Sequence, residues 1–337
     1  MTTGALQGLL YCGNILIPSL FPFMVLSTFI VKCGLADALG RFLSPITKRL
    51  FHTNGCVGAV ILLGMTGGFP VGARGITALY DERKTDLKTA QALSMFLVGG
   101  GPGFVIFVVG TTLYNDTLTG LLLWLSQAAA QIILGVHSCR KLTYTQPDST
   151  NIQRQPLCNA IVESTQIGVN GMLSLCGLVI IFSCVFGILE DTHLTEILSQ
   201  ILCSIGIPQG ISKSILSILW EVTKGCSTCC DNAVPIWFTA FALGWSGICV
   251  HFQVYSVVTA LNISKIKFTL YRLAQGVISA VITAVIFIFY TPTHGVYSNT
   301  LPQHSQQLSS SLAGSVSLII LCIIFSVSVS TKSRRKF

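Results

Sequence analysis

The sequence is poor in charge. Asp, Glu, Lys and Arg make up 9% of its 337 residues, against about a quarter in a soluble globular domain, while hydrophobic types make up 51%. That scarcity excludes a soluble enzyme or a charged binding module and leaves a polytopic membrane protein. A secretory leader is not expected, because Met1 to Gly4 carries no basic side chain and the first apolar run is too long. A G-x-S-x-G elbow, a phosphate-binding P-loop and a dinucleotide fingerprint are all missing, so nothing points to ATP-driven transport or a membrane hydrolase, and an enzyme is not expected. The 13 cysteines supply no disulfide framework: Cys12, Cys56, Cys176, Cys184, Cys249 and Cys322 are scattered through apolar runs, where a thiol behaves as a small apolar group. Cys226, Cys229 and Cys230 form C-x-x-C-C, but no second cysteine pair or neighbouring histidine completes a tetrahedral site, and neither metal nor cofactor is expected.

What the chain does have is apolar length. Runs near 4–31, 56–80, 88–113, 118–137, 160–189, 214–260, 268–290 and 312–330 each approach or exceed the ~20 residues that span a bilayer as helix. The net charge of +8 sits in short loops and the tail, as a positive-inside bias requires, and gives no nucleic-acid surface. Two runs are broken by polar, glycine-rich stretches about 157 residues apart: Leu63 to Arg74 (L-G-M-T-G-G-F-P-V-G-A-R) and Leu219 to Cys230 (L-W-E-V-T-K-G-C-S-T-C-C). Hydrocarbon offers no water to an unpaired amide, so such breaks survive only around an enclosed cavity or a polar ligand. Paired breaks in two halves mark a transport site.

The two halves also align. Gln7 to Leu26 lies over Glu163 to Phe182, which sets Asn14 over Asn170, and Gly101 to Phe107 lies over Gly244 to Val250. Lys32, Arg41, Lys48 and Arg49 make 32–53 cytoplasmic, whereas Glu190, Asp191 and Glu196 make 190–207 external, so the repeats have opposite topology. The basic groups of 138–158, the loop with Lys265, Lys267 and Arg272, and the tail all fall inside on this scheme. For the count to close, 54–116 crosses an odd number of times. We therefore expect a re-entrant hairpin over Cys56–Tyr80 with its tip at Thr66–Val71, where Gly67, Gly68 and Pro70 permit a tight reversal. Its counterpart is expected over Ser212–Trp237, with the tip near Lys224–Asn232. Leu35, Leu39, Phe42, Leu43, Ile46 and Leu50 have the spacing of a helix lying in the interface. Pro18 and Pro22 are expected to kink or break the first long helix.

The resulting fold class is an all-α polytopic membrane protein of two inverted repeats, each with an interfacial helix, a re-entrant hairpin and broken transmembrane helices. Residues 1–137 form the first repeat, 138–158 a cytoplasmic linker, 159–290 the second repeat, 291–311 an external loop, and 312–337 a terminal helix with a basic tail.

Ionisable residues at membrane depth are functional candidates. Glu221 and Lys224, three apart, share a helix face with Thr223 between them, and Arg74 can grip a carboxylate with its fork. Against these stand mutual pairing of Glu221 with Lys224 and snorkelling of Arg74 to the headgroups. Thr66, Gly67 and Gly68 leave backbone bare at the first break. Gly99 to Gly103, including Pro102 and Gly103, interrupt the next segment, and Ser246 with Gly247 does so in the second half. Asn14 and Asn170 serve either the broken regions or interhelical packing. His251 reads as a satisfied buried histidine.

Four motifs carry a family resemblance: Pro18-Ser19-Leu20-Phe21-Pro22-Phe23, Gly64 to Arg74, Gly101-Pro102-Gly103-Phe104, and Glu221-Val222-Thr223-Lys224-Gly225-Cys226. In these the chain, up to about residue 290, resembles the sporulation integral membrane proteins within the nucleoside-recognition (Gate) group. The resemblance implies a fold similar to concentrative nucleoside transporters. It also implies movement of dipicolinic acid during endospore formation, across the outer forespore membrane of the mother cell. The family usually begins with a further hydrophobic helix that is not seen ahead of the first repeat here. The partners expected are therefore a small-molecule anion and the lipid bilayer. Nucleosides or another small solute are the alternative cargo, and a non-transporting membrane scaffold or a thiol enzyme using Cys226 and Cys229 are the alternative roles.

Overall fold

The computed structural model describes residues 2–142 and 156–290, and all regular structure among them is helical. The chain opens with α1 (Thr2–Tyr11), a π turn (Cys12–Leu16) and α2 (Ile17–Lys32), helical without a break. Proline at 18 removes a donor and crowds the carbonyl four residues back; the π turn just ahead of it absorbs that conflict, so the expected break becomes a bulge. A bend of 88° then leads into α3 (Leu35–Phe51). Leu39, Phe42, Ile46 and Leu50 face outward from α3, while Gly40 packs on α4 so closely that a Cβ there would lie 2.5 Å from Cys56 N. Four of the six apolar side chains expected on this stripe thus have no protein cover, as in a helix lying in the interface, while Leu35 packs on the core and Leu43 lies beside Gly58.

Next come α4 (Gly55–Gly67) and α5 (Phe69–Asp81), then α6 (Leu87–Ser94), capped by Asp86. Non-helical backbone follows to Gly101, ahead of a π-helical segment (Gly103–Leu113) and α7 (Thr117–Cys139), capped by Asp116 on the amides of Leu118 and Thr119. The succession then recurs: α8 (Leu157–Asp191), α9 (Leu194–Ser204), α10 (Gln209–Trp220), α11 (Val222–Asp231), α12 (Ile236–Trp245), α13 (Gly247–Val257) and α14 (Lys265–Phe289). Its packing recurs as well. α4 packs on α5 as α10 packs on α11, α6 on α7 as α12 on α14, and each half's hairpin meets the other half's broken segment, α5 on α13 and α11 on the π-helical segment. Close approach in both halves rests on glycine: Gly110 lies on Gly120, and Gly244 on Gly276.

Both hairpins form. In the first, Gly64 lies against Gly72 and Gly75 against Val60, so α4 and α5 run antiparallel about a tip at Gly68. In the second, Gly225 lies against Ile218 and the Thr228 hydroxyl donates to Ser217 Oγ at 3.2 Å, which sets the reversal at Glu221. The expected tip at Lys224–Asn232 is thereby corrected. Glu221 takes extended backbone and caps α11 with its own carboxylate, and Gly225 is spent on close packing rather than on the turn.

Three helices among the described residues, Thr117–Cys139, Leu157–Asp191 and Lys265–Phe289, are long and apolar enough to cross a bilayer. Their outward faces carry bare aliphatic side chains, Leu173 and Ile181 on α8 and Val281 and Ile288 on α14 among them, which lipid covers. Arg272 corrects the loop-charge bookkeeping: it is fully buried in α14, not in a loop. The expected linker lies for the most part outside the described residues, apart from the end of α7 and the start of α8. The expected loop at 291–311 and the terminal helix at 312–337 lie wholly outside them.

Candidate functional site

Four interruptions meet at one place. A Cβ at Gly101 would lie 2.8 Å from Thr66 O and 3.1 Å from Gly68 N, so the break after α6 is pressed against the first hairpin tip. A Cβ at Gly247 would likewise lie 3.0 Å from Glu221 N and 3.0 Å from Trp220 O, pressing the break between α12 and α13 against the second tip. Between the tips is a cavity of about 80 Å³. Gly68 and Phe69 wall it from the first tip, Gly101, Gly103 and Phe104 from the break beside it, and Glu221 and Val222 from the second tip. Tyr11 and Leu20 close it from the first long helix, and Val250 and Gln253 from α13.

The local chemistry follows from the backbone. Gly68 has φ 97° and ψ −179°, a conformation open in practice only to glycine, and it stops α4 and starts α5 within one residue. Helices α5, α11 and α13 and the π-helical segment all begin at this place, so the positive ends of four peptide-dipole arrays converge on it. Phe69 and Phe104 meet edge to face, with centroids 6.4 Å apart, and form an aromatic wall. At the second tip, Glu221 Oε2 accepts the Lys224 amide at 2.8 Å, and Tyr11 OH hydrogen-bonds Thr223 Oγ1 at 2.8 Å. Among the described residues no lysine or arginine lines the cavity, and Glu221 is its one carboxylate.

The non-helical stretch ahead of Gly101 is held by buried polar side chains. Arg272 Nη1 donates to Val98 O and Nη2 to Met95 O at 2.9 Å, Gln275 Nε2 reaches Val98 O at 3.3 Å, and Gln127 Nε2 donates to Gly100 O at 3.1 Å. Carbonyls that a helix would have satisfied therefore find partners on α7 and α14. His251, buried on α13, meets Gly247 O through Nδ1 at 2.7 Å and helps hold the second break.

Of the residues singled out from the sequence, Gly68, Gly103 and Glu221 line the cavity. Thr66, Gly67, Pro102 and Thr223 adjoin it, and Ser246 forms the second break with φ 71°. Asn14 and Asn170 are exposed and line no part of it. Lys224 does not enter: Nζ pairs with Glu190 at 3.4 Å and lies 5.5 Å over the Phe186 ring. Arg74 points into a separate cavity. Sequence reasoning missed Tyr11, Gln253 and Arg272. Tyr11 had one signal, a phenol within an apolar run, whereas Arg272 read as one more loop charge.

Comparison with known proteins adds a family-model match over part of the chain and a relative along most of it. Residues 15–114 match the Gate family model, described as nucleoside recognition. The matched Gate region thus runs from the end of the π turn through α2 to the π-helical segment, and it contains the first hairpin and the first break. Over 94% of its length the chain is 25% identical to the sporulation integral membrane protein YlbJ of Bacillus subtilis (strain 168), covering 87% of that relative. The chain is a multi-pass membrane protein. It is also similar to a solved CNTnw variant in an outward-facing state, at 14% identity and a TM-score of 0.43, over 82% of this chain and 76% of that one.

Proposed function

We propose that this protein carries a small metabolite across the membrane by alternating access, with the cargo held in the cavity between the two hairpin tips. One observation carries the reading: both hairpin tips and the first break line a single cavity, and the second break is pressed against the second tip. Bare backbone at membrane depth is stable there because buried side chains and the cargo satisfy it. On this reading the two halves are inverted with respect to each other, which the contrast between the basic 32–53 and the acidic 190–207 supports. Exchange between the two open states is then a movement of the hairpins against α2 and α8.

The cargo on this reading is a small planar anion, dipicolinate during endospore formation, moved across the outer forespore membrane. The sporulation name of the relative supports the setting. Converging helix starts support a carboxylate, and the aromatic wall of Phe69 and Phe104 supports a flat ring. A second reading, a nucleoside or similar neutral solute, is favoured by the Glu221 carboxylate, which accepts from hydroxyls and repels anions.

Uptake into proteoliposomes decides the matter. The wild type is expected to take up radiolabelled dipicolinate saturably, and Gly101→Ala, whose new methyl must displace the first tip, is expected to lose that uptake. Uridine uptake in place of dipicolinate would establish the second reading. Absence of both, under imposed proton and sodium gradients, would refute transport and return the chain to a scaffold.

A further inference from the structure

Beside the cavity between the tips lies a larger one of about 180 Å³. The two are consecutive along the same pair of helices. On α5, Phe69 lines the first and Arg74, Thr77 and Asp81 the second; on α13, Val250 and Gln253 line the first and Ser256 and Val257 the second. The walls of the second cavity are more polar than those of the first.

Arg74 is the group this cavity leaves unanswered. Its Nη1 donates to Ile167 O at 3.2 Å, Nε is buried with no partner, and no carboxylate among the described residues pairs with it. Gly171 on α8 lies against the guanidinium, and a side chain there would push the flexible end of Arg74 aside. An arginine cannot shed its proton, so a largely desolvated guanidinium without a counterion is costly unless something fills that role. The neighbouring donors are committed elsewhere. Thr77 Oγ1 donates to Ala73 O, Thr28 Oγ1 to Met24 O, Ser256 Oγ to Gln253 O, and Lys32 Nζ spans Glu82 at 3.2 Å and Glu163 at 2.7 Å. Asp81, seven residues further along α5, and Glu82 also line the cavity; Glu82 is taken by Lys32, and no ion pair joins Asp81 to Arg74.

We propose that this second cavity is a binding site for a small carboxylate anion, gripped by the Arg74 fork, and that it is a second station for the cargo between the first cavity and one membrane face. The inference deepens the transport reading and rests on it for the identity of the ligand. A fork of two parallel donors matches a carboxylate, which a lysine point charge does not.

The test is thermal unfolding of the full-length protein in lipid nanodiscs with and without 10 mM dipicolinate as the probe, about where weak anion sites fill. Dipicolinate is expected to raise the unfolding temperature of the wild type and of Gly101→Ala. It is expected to lose at least about tenfold in affinity with Arg74→Gln, and less with Arg74→Lys, which keeps the charge if Gln compromises folding. Equal stabilisation of the wild type and both Arg74 variants would overturn the site, as would no stabilisation of the wild type. Stabilisation that depends on Arg74, in a protein that takes up no dipicolinate, would sink the transport reading and leave the site standing.

Discussion

The first hairpin tip turns on one residue, and replacing it with alanine gives a measurable consequence. Gly68 holds φ 97° with ψ −179°, where any Cβ clashes with its own backbone. Strain of this kind costs about 1–3 kcal/mol. The new methyl would also approach Leu20 Cδ2 at 2.8 Å, but that atom ends a flexible side chain and yields cheaply. The backbone term therefore decides. If the tip seen here belongs to a conformation the transport cycle must visit, destabilising it by about 1–3 kcal/mol lowers its population by about 5- to 150-fold. Initial dipicolinate uptake by Gly68→Ala should fall by a comparable factor, and its unfolding temperature by a few degrees. Gly13→Ala is the control, because a Cβ at that position meets nothing within 4 Å. If Gly68→Ala matched Gly13→Ala in both uptake and unfolding temperature, the tip would not need its left-handed residue and the reasoning would fail.

Three further outcomes are expected. Tyr11→Phe removes the hydroxyl that meets Thr223 Oγ1 at 2.8 Å, so apparent KM for uptake should rise about fivefold, the equivalent of about 1 kcal/mol, and Thr223→Val should add little on top in a double-mutant cycle. Arg272→Lys keeps a charge but loses the fork spanning Met95 O and Val98 O; an orphaned buried carbonyl costs about 1–3 kcal/mol, and the amides of 95–101 should exchange hydrogen faster than in the wild type. Lys224→Ala breaks only a half-exposed pair with Glu190, worth at most about 1 kcal/mol, and uptake should stay within about twofold of wild type; a larger loss would return Lys224 to the binding site.

The architecture was legible because bilayer physics writes it into composition. Long apolar runs and a glycine-rich tip at Gly68 leave few alternatives to a helical membrane fold with a hairpin there. The second tip was misplaced for a local reason. Gly225 looked like the turn residue, but glycine in a membrane hairpin also allows two helices to touch, and there it meets Ile218. Side-chain direction was the least legible property. Asn14, Arg74 and Lys224 have suitable chemistry, yet the π turn after Tyr11 and the extended residue at Glu221 shift the helical phase, so the groups that reach the cavity are Tyr11 and Glu221. Arg272 escaped because a buried arginine bonded to carbonyls and a loop arginine look alike in sequence.

The two tips solve one problem by different means, and the cavity inherits the difference. At Gly68 the reversal is made by a backbone conformation, which leaves the starts of α5 and of the π-helical segment uncovered by any acidic side chain. At Glu221 it is made by a side chain, whose carboxylate already occupies the Lys224 amide at the start of α11. The first tip therefore attracts an anion, whereas the second offers an acceptor. A cargo with one anionic end and one donor-bearing end fits this polarity better than a symmetric one. A symmetric dicarboxylate fits it only with one carboxylate at the Gly68 side and the other directed away from Glu221, along α5 towards Arg74. The nearer end of the second cavity lies in that direction, five residues beyond Phe69 on the same helix. On the reading proposed above, a dianion too negative for the Glu221 side of the first cavity meets the Arg74 guanidinium in the second, and the two cavities act as successive holds on one molecule.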